Sequence, residues 1–125
     1  LMNKYIAVGA IAALLAVAIG AFGAHMLEDR ISAHYLDVYR TGVQYQMFHA
    51  LGILLIAALA DRLPSRKAAL WSARLLLIGI VLFSGSLYLL AVSGVDALGA
   101  VTPLGGVSFI AGWICLALAV RKRAN

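Results

Sequence analysis

Charge is scarce in this sequence. Of its 125 residues only 12% are charged, five of them acidic, while 64% are hydrophobic. A soluble domain carries about 25% charged and ~45–50% apolar residues. A chain this short has a high surface-to-volume ratio and cannot hide such an excess of apolar surface in its own core. An ordinary soluble domain is therefore excluded, and the surplus is expected to face lipid. Cysteine is scarcer still: Cys115 stands alone, which excludes an intramolecular disulfide framework. Lying in an apolar run, it reads as a small packing residue. The net charge of +5 does not point to nucleic acid, because the basic residues sit at the ends of apolar runs, as membrane-flanking charges do.

What the sequence does hold is long apolar runs within a single domain, 1–125. The first span, 5–24, contains no charge. At ~1.5 Å per residue it covers about 30 Å, one hydrocarbon thickness. It is too long for the apolar core of a cleaved signal peptide, and more spans follow. Leu1, ahead of Met2, reads as a remnant of expression and is set aside. Residues 25–40 are mixed, with Ile31, Tyr35, Val38 and Gly42 at helical spacing. They are expected to form a short amphipathic helix at the interface, or else the protruding first turns of the next span. The second span covers 42–60. Pro64 ends it, and Ser65 is placed to cap the third helix, whose span is 75–92. Thr102-Pro103 has the cap-then-proline order of a helix start and opens the fourth span, 103–120. The expected fold is an all-α membrane protein, a compact bundle of four transmembrane helices.

Lys4, the second connection (Arg62, Arg66, Lys67, Arg74) and the tail (Arg121, Lys122, Arg123) hold all the basic residues except Arg30 and Arg40. The first and third connections hold four of the five acids. The positive-inside rule then places both termini and the 62–67 connection in the cytoplasm.

Four motifs stand out in order: Gly20-Ala21-Phe22-Gly23-Ala24-His25, the run from Tyr39-Arg40-Thr41-Gly42 through Gln44-Tyr45-Gln46-Met47-Phe48-His49-Ala50, Phe83-Ser84-Gly85-Ser86-Leu87-Tyr88, and Thr102-Pro103-Leu104-Gly105-Gly106 followed by Gly112-Trp113. Together they resemble the Domain of Unknown Function 423 family of small bacterial inner-membrane proteins, over nearly the whole chain. The resemblance implies a four-helix membrane protein of unassigned function and brings no catalytic residue with it.

Read by depth, Gln46, His49, Ser84, Ser86, Thr102 and Ser108 all fall in the outer halves of their spans, and the inner halves hold no strongly polar side chain. An unpaired polar group in hydrocarbon costs several kcal/mol, of the order of a lost hydrogen bond or more. Gln46, His49, Ser84, Ser86 and Ser108 are therefore expected to face one another or a wet cavity. One reading is an outward-opening polar pocket, with His49 as its proton-carrying group. The other is hydrogen-bonding glue between helices, at ~0.6 kcal/mol per bond on average. His25, His34 and His49 lack the spacing of a metal site, so neither metal nor cofactor is expected. The pair Gly105-Gly106 lacks the Gly-Lys-Ser/Thr ending of a phosphate loop. Ser84, His49 and Asp96 have no mutual geometry in sequence, so no catalytic triad is assigned. Ala12, Ala16, Gly20 and Ala24 recur at every fourth position, and with Gly112 in the fourth span they would let helices approach closely, within this chain or with a second copy.

The leading expectation is a structural or interaction role without enzymatic activity. The alternative is a carrier or channel component for a small solute or proton, working through the pocket around His49. The lipid bilayer and a homo-oligomer are the partners this pattern suggests, with no nucleic acid and no defined small-molecule ligand.

Overall fold

The computed structural model describes residues 2–121. Leu1, and Lys122 and Arg123 of the basic tail, lie outside the described residues. Four helices are long and apolar enough to cross a membrane: α1 (Met2–Leu27), α2 (Ala33–Arg62), α3 (Arg66–Ser93) and α4 (Asp96–Ala119). They are joined by short turns, so neighbours in sequence run antiparallel. The α1–α2 and α3–α4 turns share one end of the bundle, the turn end. The α2–α3 connection lies at the other, the basic end, where Lys4, Arg62, Arg66, Lys67 and Arg121 also lie.

No separate interfacial helix intervenes between the first two spans. Ser32, in extended geometry, accepts a hydrogen bond from Tyr35 N at 3.2 Å and caps α2, which runs on unbroken through Asp37 and Arg40. A helix of 30 residues is about 45 Å long, more than the ~30 Å of hydrocarbon. Its surplus carries the polar residues, and continuing a formed helix costs far less than nucleating a second one. α1 ends in a π-helical turn, Gly23–Leu27, and the backbone of Arg30 and Ile31 bonds back to Leu27 O.

At the basic end, Leu63 takes the extended conformation that Pro64 imposes on its predecessor. Ser65 caps α3 by accepting from Ala68 N at 3.2 Å, and its own N–H donates to Ala119 O, closing the end of α4. Arg66 pairs with Asp61 at 2.9 Å in the open. At the turn end, Gly94 closes α3 at φ +71°, a left-handed cap that glycine adopts without strain. Tyr35 there donates to Asp96 at 3.0 Å and ties the two turns together. Within α4 a 3-10 segment, Asp96–Ala100, precedes the α-helical part, Thr102–Ala119, whose cap position Val101 holds; Thr102 does not cap it, and its hydroxyl is taken by Ser86 of α3, 2.6 Å away.

α2 and α3 form the centre. They bury 44% and 39% of their most apolar stretches, against 22% each for α1 and α4. α1 packs closely on α2, and α4 on α3. Ile53, Ile56, Ala69, Ala73, Leu76 and Phe109 make the main core, and Leu27, Leu36, Tyr39 and Ala91 a smaller one at the turn end. The faces left outward are apolar, with Ile11, Leu14, Val17, Val81, Leu89, Val107 and Ile110 all exposed, as lipid contact requires.

Of the small-residue stripe, Ala12 and Ala16 are buried, Gly20 is half-buried beside Val43, and Ala24 is exposed. Gly23 takes the place of Ala24 and lies against the Tyr39 ring. A strict four-residue repeat turns about 40° per step around a helix of 3.6 residues per turn, so by its fourth member it has left the contact face.

Candidate functional site

The polar side chains inside the bundle form a set of separate joints, each tying one helix to the next. Gln46 on α2, 4% exposed, donates to Ala12 O of α1 at 2.8 Å and accepts from the Tyr88 hydroxyl of α3 at 2.6 Å. Ser84 of α3 donates to Gly42 O of α2 at 2.6 Å. Ser108 of α4 donates to Leu75 O of α3 at 2.7 Å, and Ser72 of α3 returns the favour to Gly112 O at 2.7 Å. Tyr39 of α2 donates to Ile19 O of α1 at 2.5 Å. Among the described residues no buried side-chain nitrogen or oxygen lacks a partner.

His49 is the ionisable member. It is 6% exposed, with its ring stacked on Phe109 of α4 at 3.5 Å between centroids and 12° between planes. Nδ1 lies 2.7 Å from Tyr45 O, and Trp113 Nε1 of α4 lies 3.1 Å from Nε2. A backbone carbonyl only accepts and an indole N–H only donates. Nδ1 therefore carries the proton and Nε2 offers its lone pair, which assigns the neutral Nδ1–H tautomer. A second proton, on Nε2, would meet the Trp113 N–H head on. Tyr45, Phe83 and Phe109 continue the stack, with Tyr45 and Phe83 4.6 Å apart.

The five side chains expected to share a pocket do not line one cavity. Gln46 borders a groove between α1 and α3, Ser86 a groove on the far side of α3, and His49 a cleft between α2 and α4. The reason is angular. Ser84 and Ser86 are two residues apart, about 200° around the helix, so one faces α2 and the other α4. Gln46 and His49 diverge by about 60°, enough for a central helix to direct one toward α1 and α3 and the other toward α4. Gly112 acts through its backbone: its carbonyl receives Ser72, and an added Cβ would lie 2.7 Å from Leu76.

The apolar stretches 50–60, 75–83 and 110–120 hold no strongly polar side chain, but α3 carries one ahead of its stretch, Ser72, which is fully buried. It escapes a count of apolar residues because α3 begins at Arg66, well before the run at 75–92. Tyr39, Tyr88 and Trp113 were also missed as partners. Each reaches across a helix–helix gap that sequence spacing does not reveal. His25 and His34 are both exposed at the turn end, and His34 is ring-to-ring with Tyr35 at 5.3 Å. Among the described residues, no three His, Cys, Asp or Glu side chains converge. Cys115 is half-buried in α4.

Comparison with known proteins points to a membrane protein. The profile of a family described as protein of unknown function (DUF423) matches residues 19–106. The chain is similar to the UPF0382 membrane protein YwdK of Bacillus subtilis, 54% identical over 121 residues, covering 97% of this chain and 98% of that one. It is also similar to a UPF0382 membrane protein of Staphylococcus epidermidis, 46% identical over 124 residues, covering 99% and 100%. No solved structure matches.

Proposed function

The chain belongs to the DUF423 family of membrane proteins of unassigned function, and on that premise we propose that it catalyses no reaction and serves as a structural or interaction protein of the cytoplasmic membrane. Its partners in this reading are lipid and other apolar helices, a second copy of the chain included. The observation that carries the reading is how the polar side chains are used. Gln46, Ser72, Ser84 and Ser108 each bond the neighbouring helix, and both nitrogens of His49 are engaged. A solute path needs polar groups turned toward a common cavity, and these are turned toward helix backbones. The apolar faces of α1 and α4 are the surfaces offered to partners.

His49→Leu separates this reading from the carrier alternative. If His49 only joins helices, the variant folds and loses about 2–4 kcal/mol, from two lost bonds at ~0.6 kcal/mol each on average and a Trp113 N–H left without its acceptor at about 1–3 kcal/mol. Proteoliposomes holding wild type or variant should then show the same proton flux as empty vesicles under an imposed pH gradient. A flux in the wild type that disappears in a folded His49→Leu protein would establish the carrier instead.

The same reading places both termini and the 62–67 connection in the cytoplasm, on the asymmetry of Lys4, Arg62, Arg66, Lys67, Arg74 and Arg121 against Arg30 and Arg40 alone in the other connections. In a Cys115→Ser background, cysteine introduced for Asp96 should react with an impermeant thiol reagent on intact cells. Cysteine introduced for Ser65 should react only after the cells are opened. The opposite pattern reverses the orientation.

A further inference from the structure

Arg74 is a cation without a carboxylate. The sequence has five acidic side chains, and all are accounted for elsewhere. Glu28, Asp29, Asp37 and Asp96 lie at the turn end of the bundle. Asp61 is taken by Arg66 at 2.9 Å, the only ion pair among the described residues. Arg74 lies about 12 Å along α3 from Arg66, at ~1.5 Å per residue, which carries it deeper than Arg62, Arg66 and Lys67. It is half-buried, and its guanidinium stands 5.1 Å from the centre of the Trp71 ring. That stacking turns the charge back toward the start of α3, the way helix side chains lean, and so toward Lys67, one turn beyond Trp71. Positions 67, 71, 74 and 78 fall within about 30° of a common line on a helix of 3.6 residues per turn, so Lys67, Trp71, Arg74 and Ile78 share one face of α3. The face looks outward. Trp71 and Ile78 are 45% and 44% exposed, whereas Ala69, Ala73 and Leu76, on the opposite side, are fully buried. An ionised side chain among lipid needs a counter-charge, and the acids of this chain supply none there.

We propose that this face of α3 binds an anionic phospholipid, its phosphate held between the Lys67 ammonium and the Arg74 guanidinium, its glycerol against the Trp71 ring and its acyl chains over Ile78 and Val81. The proposal rests on the reading of lipid as a partner given above and names the class of lipid. Charge selects the occupant. A zwitterionic headgroup brings its own cation and leaves the positive charge of the pair uncompensated, whereas an anionic headgroup supplies the charge that Arg74 lacks. A guanidinium pairs with phosphate through two parallel N–H donors and can do so while stacked on an aromatic ring. Tryptophan is the side chain of the headgroup boundary. The order along the face, from cations and ring to exposed aliphatic residues, follows the order of a lipid from headgroup to chain.

Trp71 reports on the site directly. The chain has two tryptophans, so Trp113→Phe leaves Trp71 as the sole fluorophore. Should that variant not fold, the difference between wild type and Trp71→Phe isolates the same signal. In phosphatidylcholine vesicles, a minor fraction of brominated phosphatidylglycerol should quench Trp71 more than the same fraction of brominated phosphatidylcholine. Arg74→Gln and Lys67→Gln should each lower that preference about fivefold, the worth of one basic residue at an anionic surface. Arg62→Gln, off this face, should leave it unchanged. Equal quenching by the two lipids overturns the proposal and leaves lipid as a partner. Quenching by neither lipid means that something other than lipid covers the face, and it overturns both readings. A preference that Arg62→Gln lowers as much as Arg74→Gln belongs to the charge of the whole basic end, and the site falls. So does it if inorganic phosphate removes the preference beyond the screening by sodium chloride at equal ionic strength, since the face would then take the free ion.

Discussion

Gly105→Ala should destabilise the folded protein by about 2–3 kcal/mol, within the range that overpacking of a tight contact costs. An added Cβ would lie 2.7 Å from Cα and Cβ of Phe83 and closer still to its backbone nitrogen. Phe83 sits in the π-helical turn Ile80–Ser84, where α3 carries an extra residue and its backbone bulges toward α4. A flexible side chain can rotate away from a new methyl group, but this backbone is held by Gly42, which binds Ser84, and by Thr102, which binds Ser86. α3 and α4 would have to separate, straining the Ser108–Leu75 and Ser72–Gly112 bonds as well. Gly85→Ala is the control. Nothing lies within 4 Å of its added Cβ, and removing a helical glycine should raise stability by about 0.5–1 kcal/mol. Equilibrium unfolding in mixed micelles, followed by helix signal, measures both. Equal stabilities for the two variants would mean that the α3–α4 approach is looser than this structure has it.

Gln46→Leu should cost about 2–4 kcal/mol. Gln46 joins three helices at once, donating to Ala12 O of α1 and accepting from Tyr88 of α3. The two lost bonds account for ~0.6 kcal/mol each on average. The remainder comes from leaving the Tyr88 phenol without its acceptor, at about 1–3 kcal/mol for a buried polar group. Tyr88→Phe removes one bond and only half-empties the Gln46 amide, so it should cost about 1 kcal/mol. The double variant Gln46→Leu with Tyr88→Phe has no orphaned phenol and should be more stable than the sum of the single effects implies. A coupling of at least about 1 kcal/mol is expected. Strict additivity would remove Gln46 as the junction of the bundle.

Topological features were legible because they depend on one coordinate, distance along the chain. An apolar run of some twenty residues must cross the bilayer as a helix, since no other open backbone arrangement satisfies its own hydrogen bonds there. Pro64 and Ser65 act on their immediate neighbours, so the break before α3 and its cap could be read locally. The clustering of Arg62, Arg66 and Lys67 between two runs is equally local. The stretch 25–40 shows where this reading ended. Its polar residues suggest an interface, but whether they form a separate helix or extend α2 depends on whether the chain breaks after Arg40, and no proline or glycine pair there forces it to.

What only the tertiary structure decided is which way each polar group turns. Depth placed Gln46, His49, Ser84, Ser86 and Ser108 at comparable levels, and that suggested a shared pocket. Their partners depend instead on angle around the helix and on which helix stands at that angle. Ser84 and Ser86, two residues apart, bond α2 and α4 respectively. His49 pairs with Trp113, 64 residues away, and no spacing rule connects them. Composition and periodicity determined that this chain is a four-helix membrane protein, because lipid tolerates little else. The bonding of its interior was set by the packing of α1 on α2 and α4 on α3, because a hydroxyl in hydrocarbon takes the nearest carbonyl that close helix contact provides.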